Sequence, residues 1–244
     1  MDDEKIFLSI VIPAFNEESR IIPTLKKIRA YLREKSYHCQ VIVVDDGSTD
    51  NTPSVVLKFS KEFSGLALLE NEKNMGKGYS VKRGISLAQG EYILFSDADL
   101  STPIQEIEKF FPYFEQGFDI VIGSRALKDS QIELRQPWWR EGMGKTFNLF
   151  VRLLAFGGIK DTQCGFKCFR REVAHHLFGL AKIKGFSFDV ETLFLAKKFG
   201  YKIKEVPVVW INSEASKVHP LLDSAKMFFE LLKIRFTISQ SLQV

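Results

Sequence analysis

Apolar positions in the first half of the chain come in two alternating kinds of run. Short, nearly unbroken stretches stand at Leu8–Pro13, Gln40–Val44, Leu66–Leu69, Tyr92–Ser96 and Asp119–Gly123, several of them rich in Val and Ile. Between them apolar residues recur every three or four positions, as at Ile21, Leu25, Ile28 and Leu32 within 17–35. A strand covered on both faces reads as a continuous apolar run, and a helix packed on one side reads as a stripe of period 3.6. The pattern therefore predicts helices over 17–35, from the Ser48-Thr49-Asp50 and Pro53 start signals to about Phe63, over 77–88, and over 103–115 after Pro103. Strand–helix alternation at this pitch implies an α/β fold, a mostly parallel central sheet with helices on both faces. Ligands of such sheets sit beyond the carboxyl ends of the strands, where Asp45-Asp46 and Asp97-Asp99 fall.

The second half is less regular. A polar, basic loop is expected over 125–145, carrying Trp138-Trp139 between Arg135 and Arg140. A helix is expected over about 143–156 and a strand over Lys204–Ile211. The last segment, 221–238, places Leu222, Ala225, Phe229, Leu232 and Phe236 on one face and Asp223, Lys226, Glu230 and Lys233 opposite. The expected division is a main domain over 1–220 and a C-terminal amphipathic helix over 221–244. No run approaches the ~18 apolar residues of a membrane span. The acidic start MDDEKIFLSIV leads directly into a strand, which is not the pattern of a signal peptide.

Composition adds little: 244 residues, 45% hydrophobic, suffice for one domain with an appendage. Three cysteines form no disulfide framework, and Cys164 and Cys168 read as buried, reduced thiols rather than half of a zinc site. Charge changes the picture more. The net +4 is too small to imply nucleic acid, but residues 1–124 carry −5 and residues 125–244 carry +9. The basic half suits phosphates or an anionic membrane surface, unless it is a scattered solvated face.

Phosphate-binding glycine loops are absent from the expected places. After the first strand the chain reads Pro13-Ala14-Phe15-Asn16-Glu17, without G-x-G-x-x-G. The nearest approach to a P-loop, NEKNMGKG at 71–78, lacks its first glycine and its Ser/Thr. The D-x-D of Asp97 and Asp99 offers another route, two hard carboxylates at a strand end that can bridge Mg²⁺ or Mn²⁺ to a diphosphate.

The segments LSIVIPAFNEE (8–18), VIVVDDGSTDNT (41–52), NEKNMGKGYSVKRG (71–84), ILFSDADLSTP (93–103) and VIGSR (121–125) together resemble family 2 glycosyltransferases of the GT-A fold. Within that family DADLSTP, GSRALKDS, DTQCGFK and FSFDVE are most similar to the dolichyl-phosphate β-glucosyltransferase group, with polyprenyl-phosphate mannosyltransferases as neighbours. The resemblance implies that Pro13, Ala14, Phe15 and Glu17 line a nucleoside pocket, and that Asp45 and Asp46 contact the base or ribose. It places Gly76 and Lys77 near the nucleotide, and Asp97, Ala98 and Asp99 at ribose and metal, with Asp97 and Asp99 as ligands of the divalent cation. It also implies that Arg125 reaches the phosphates and that Ser216-Lys217 closes over the diphosphate. The mannosyl relatives often carry Gln two residues after the second Asp; here that residue is Ser101, as in the glucosyl group.

The expected donor is UDP-glucose and the expected acceptor a dolichyl or polyprenyl phosphate, at the cytoplasmic face of a membrane. A phosphate monoester is already anionic and needs no general base, so the expected step is one inverting displacement at the sugar C1. Three other readings stay open: GDP-mannose as donor, a saccharide hydroxyl as acceptor with Glu191 or Asp189 as base, and a silent nucleotide-sugar or lipid-binding module. Glu191 reads equally as a core carboxylate bound to backbone, and His175-His176 read as surface helix residues. The Trp pair and the terminal helix suit membrane docking, against burial within the domain.

Overall fold

A computed structural model describes residues 5–134, 138–212 and 220–238. The first half runs β1 (Leu8–Ala14), α1 (Ile21–Arg33), β2 (Cys39–Asp45), α2 (Thr52–Ser60), β3 (Leu66–Glu70), α3 (Lys77–Leu87) and β4 (Tyr92–Ser96). A 3-10 helix (Ile104–Lys109) then leads into α4 (Phe111–Glu115) and β5 (Ile120–Ser124). The second half adds β6 (Gln131–Leu134), α5 (Trp138–Leu154), β7 (Phe166–Arg170), α6 (Arg171–Leu180) and α7 (Phe188–Lys198). It ends with β8 (Ile203–Pro207), β9 (Val209–Ile211) and α8 (Pro220–Lys233), which continues as a π-helical turn over Ile234–Ile238.

Seven strands form one sheet in the order β3-β2-β1-β4-β7-β5-β8, and β6 pairs with β9 in a small parallel ribbon. Every pairing in the large sheet is parallel except those of β7, which runs antiparallel between β4 and β5. Alternate residues of a strand point to opposite faces. On β1, Leu8, Ile10 and Ile12 pack with Ile21, Leu25 and Ile28 of α1, whereas Val11 packs with Val81 and Ile85 of α3. Both faces of β1 are covered, which is why all seven of its residues are buried and why its sequence shows no polar alternation.

The structure departs from the periodicity in four places. The expected loop over 125–145 contains β6 and the start of α5, so Trp138-Trp139 open a helix. The 103–115 segment is two helices, because Pro112 cannot donate to a carbonyl four residues back. The expected strand over 204–211 divides after Pro207, with β8 in the large sheet and β9 beside β6. Strand β7 was not expected at all; Lys167, its second residue, breaks the apolar run.

Helix α8 lies on the domain. Met227, Leu231 and Ile234, spaced four and three residues apart, are buried, and the last two join the core around α7. The apolar face expected from sequence turns outward at its two phenylalanines, Phe229 being 69% and Phe236 63% exposed, with Leu232 half-buried between them. The helix is apolar on two sides, and the core takes the side that carries Leu231.

Candidate active site

Parallel strands β2, β1 and β4 end side by side, and antiparallel β7 begins at the same edge, with Ser96 opposite Phe166. A cleft of about 490 Å³ opens there. Pro13, Ala14, Phe15 and Glu17 enter it from the end of β1, and Asp46 from the end of β2. Gly76 and Lys77 enter from the start of α3, and Asp97, Ala98 and Asp99 from the end of β4. Ten residues singled out in the sequence thus meet in one cavity.

Two others are engaged elsewhere, and one is not described. Asp45 accepts hydrogen bonds from the backbone N–H (2.9 Å) and hydroxyl (2.5 Å) of Ser48. The same hydroxyl accepts from the Asn16 N–H at 2.8 Å, so the Asp45 carboxylate ties the ends of β1 and β2 together. Arg125 is clamped by Asp161, whose carboxylate accepts from its Nε (2.7 Å), its Nη2 (2.9 Å) and its backbone N–H (2.9 Å). Burial works against both charges, but their attraction outweighs it, raising Arg125 and holding the Asp161 carboxyl down at about 2. Two guanidinium donors and the backbone N–H held by one carboxylate make Arg125 an anchor for the end of β5. Ser216-Lys217 lies outside the described residues.

Asp46 supports the cleft while lining it. It accepts from the Asn71 side-chain amide (2.8 Å) and from the N–H groups of Met75 and Gly76 (2.9 Å each). That fixes the loop that delivers Lys77. The Lys77 Nζ lies 2.6 Å from Asp97 Oδ1. Burial disfavours its charge, but Asp97, Asp189 and Asp99 together hold the ammonium above its ordinary range. Asp99 is pushed up, first by burial and then by the negative charge of Asp97; the Ser101 N–H, 3.0 Å from its Oδ1, opposes the shift. Lys167 and Asp189 pair at 2.6 Å deeper in. Three carboxylates and two lysines leave this network at −1.

The turn holding Asp97 and Asp99 is over-determined. The Asp97 N–H donates to the Gly165 carbonyl (3.1 Å), the Thr24 hydroxyl to the Ala98 carbonyl (2.7 Å), and the Ile211 N–H to the Ser101 carbonyl (2.8 Å). A β-carbon at position 165 would lie far inside van der Waals contact with the Asp97 carboxylate, so glycine is required there. Leu100, directly after Asp99, has φ +49°, a left-handed conformation that costs a leucine about 1–2 kcal/mol. Strain of this kind persists where the surroundings enforce it, commonly at functional sites.

The residues present fit a divalent cation. Two carboxylates face one cleft, Asp99 is destabilised by the like charge of Asp97, and Asp97 Oδ1 is buried without a hydrogen bond, having only the ion-pair contact with Lys77. Among the described residues no group of three or more His, Cys, Asp or Glu side chains is placed to hold a metal. Asp97 and Asp99 would therefore share a cation with ligand oxygens.

Neither proposed base stands ready in the cleft. Glu191 accepts from the N–H groups of Lys182 (2.8 Å) and Ile183 (2.7 Å), the core-carboxylate reading, and Asp189 is spent on Lys167. Sequence reasoning missed Arg20, Asn74, Gly185, Phe186 and the α8 residues Lys226, Met227 and Glu230, all of which line the cleft. The FSFDVE segment pointed toward Phe186; nothing local pointed to α8.

The glycosyl transferase family 2 profile matches residues 9–178. A dolichyl-phosphate beta-glucosyltransferase of Dictyostelium discoideum is 38% identical over 96% of this chain and 75% of the relative. The Saccharomyces cerevisiae protein of the same name is 35% identical over the same shares. Among solved structures, glucosyl-3-phosphoglycerate synthase from Mycobacterium tuberculosis with uridine-diphosphate superposes with a TM-score of 0.69 at 20% identity, covering 95% of this chain and 79% of that one. The same enzyme has been solved with Mn²⁺, UDP and glucosyl-3-phosphoglycerate, at a TM-score of 0.69 and 21% identity. At that identity the likeness is one of fold.

Proposed function

The chain belongs to glycosyl transferase family 2 and has the GT-A fold, and from that premise we propose that it transfers glucose from UDP-glucose to dolichyl or another polyprenyl phosphate. The reading is carried by the 38% identity, over nearly the whole chain, to a dolichyl-phosphate glucosyltransferase. The cleft is in keeping with it, since the two bases considered for a hydroxyl acceptor are engaged elsewhere, and an anionic phosphate acceptor needs none.

The nucleoside lies along Pro13–Glu17 with Asp46 behind it. Asp97 and Asp99 would hold the cation, Mg²⁺ or Mn²⁺, which when bound would offset negative charge on the diphosphate as it departs. Lys77 exchanges Asp97 for phosphate oxygen, and Lys217 is assigned to the diphosphate by the family resemblance. An acceptor phosphate oxygen forms a bond to C1 as the bond from C1 to the UDP oxygen breaks. UDP leaves with the electron pair, no proton moves, and the α-linked donor gives a β-linked product.

The partner surface in this reading is an anionic bilayer at its cytoplasmic face. Among the described residues no helix is long and apolar enough to cross a membrane. Phe229 of α8 and Phe236 of its π turn face outward, and Phe228 meets Phe229 and Phe150 of α5 at centroid distances of 6.2 and 5.4 Å. Exposed Lys226, Lys233 and Arg235 flank them, a pattern that suits an anionic interface. Phe229→Asp with Phe236→Asp is expected to weaken co-sedimentation with phosphatidylserine vesicles about tenfold or more; unchanged sedimentation would remove this face from the proposal.

The deciding assay offers radiolabelled UDP-glucose and GDP-mannose side by side to a short polyprenyl phosphate with Mg²⁺ or Mn²⁺. An organic-extractable product from UDP-glucose is expected. Product from GDP-mannose alone would overturn the donor, and nucleotide-sugar hydrolysis without lipid product would overturn the acceptor.

A further inference from the structure

We infer that Glu230 of α8 reads the hexose of the donor, its carboxylate accepting hydrogen bonds from sugar hydroxyls. The inference rests on the cleft being a nucleotide-sugar site. The other carboxylates lining that cleft are engaged: Glu17 with Arg20 at 2.6 Å, Asp46 with three N–H donors, Asp97 with Lys77, and Asp99 with the Ser101 N–H. Among the described residues the Glu230 carboxylate makes no hydrogen bond or ion pair, yet it faces the same cavity.

A diphosphate repels a carboxylate, so Glu230 is unsuited to the charged middle of the donor, and the nucleoside has its own wall at Pro13–Glu17. The remaining donor group is an uncharged hexose rich in hydroxyl donors. A carboxylate can accept from two of them at once, and Phe186 supplies an apolar surface beside it for the sugar's C–H face.

The position is built to hold the carboxylate. A β-carbon at Gly185 would lie 2.7 Å from Glu230 Oε1, so the glycine keeps that space open. The segment carrying Gly185 and Phe186 is pinned at both sides. Glu191 holds the Lys182 and Ile183 N–H groups, and the Lys184 carbonyl accepts from the Tyr79 N–H at 3.2 Å. On the far side the Ser187 hydroxyl reaches the Met227 carbonyl of α8 at 3.5 Å. A fixed acceptor of this kind discriminates hydroxyl positions strongly, because a mismatched sugar leaves it unpaired.

Calorimetric titration of the full chain with Mn²⁺ and UDP, UDP-glucose or UDP-galactose tests this. Glu230→Gln is expected to weaken UDP-glucose about tenfold, to leave UDP within about twofold, and to erase discrimination between the two hexoses. Gly185→Ala, which keeps the carboxylate but displaces it, is expected to give the same pattern. Equal weakening of UDP and UDP-glucose, or no change in either, would overturn the inference. So would unchanged binding with lost turnover, which would make Glu230 a base. A wild-type protein that binds UDP-glucose but forms no lipid product fails the acceptor reading above and leaves this binding test intact. Preference for GDP-mannose fails the donor reading, and the same comparison then runs with GDP and GDP-mannose.

Discussion

Asp99→Asn is expected to cut hexosyl transfer by about 10²–10³-fold while leaving the protein folded. The reasoning starts from what Asp99 does in the fold, which is little. One oxygen accepts from the Ser101 N–H, a bond that an asparagine carbonyl can keep, and among the described residues Asp99 belongs to no ion pair. Its charge is held against burial and against Asp97, an unfavourable arrangement with no structural return. A dication and a diphosphate between the two carboxylates would convert that repulsion into binding. Asp97 is the poorer test, since removing it also strands Lys77. The check is the initial rate of transfer across a Mn²⁺ and Mg²⁺ titration, alongside thermal unfolding. Near wild-type turnover in Asp99→Asn would remove the carboxylate from the cation site; a large drop in Tm would make the lost rate a folding effect.

The parts legible in the sequence are those whose signal is local. Strands β1, β2 and β4 are buried on both faces, so their apolar runs are unbroken, and the acidic residues that end them stand out. Position along the chain then places Asp46, Asp97 and Asp99 at one sheet edge. What escaped depends on distant segments. Strand β7 is FKCFR, and the lysine at its second position reads as surface until Asp189, 22 residues away, is seen to neutralise it. Arg125 finds Asp161 rather than a nearer acid because β7 brings the DTQCG segment to the site edge. In α8 the periodicity correctly signals an amphipathic helix, but a helix with apolar residues on two sides does not announce which side the core will take. The wall that carries Glu230 follows from that choice. Residue roles were readable where backbone register sets them and unreadable where a side chain waits for a partner from another element.

The buried pair behind the cleft carries the largest expected effect on stability. Lys167→Met should lower the unfolding free energy by about 3–5 kcal/mol, the usual consequence of leaving one member of a buried ion pair uncompensated. Lys167 is 1% and Asp189 6% exposed at their side chains, so solvent does little to replace the lost charge. The Lys167 Nζ also donates to the Cys164 carbonyl at 2.5 Å, in the segment that carries Gly165 against Asp97. Burial already pushes the Asp189 carboxyl up, with Lys167 and then Lys77 opposing it. Without Lys167, only Lys77 remains to balance Asp189, and Lys77 is also the partner of Asp97. Transfer should therefore fall even at temperatures where the variant stays folded. Adding Asp189→Leu to Lys167→Met removes the stranded charge and should recover much of the stability, since an apolar pair of similar volume can match a buried ion pair. Urea unfolding of wild type, both single variants and the double variant closes the cycle. A coupling energy of about 2 kcal/mol or more is expected, and single effects that add within about 0.5 kcal/mol would mean that the two residues do not act as a pair.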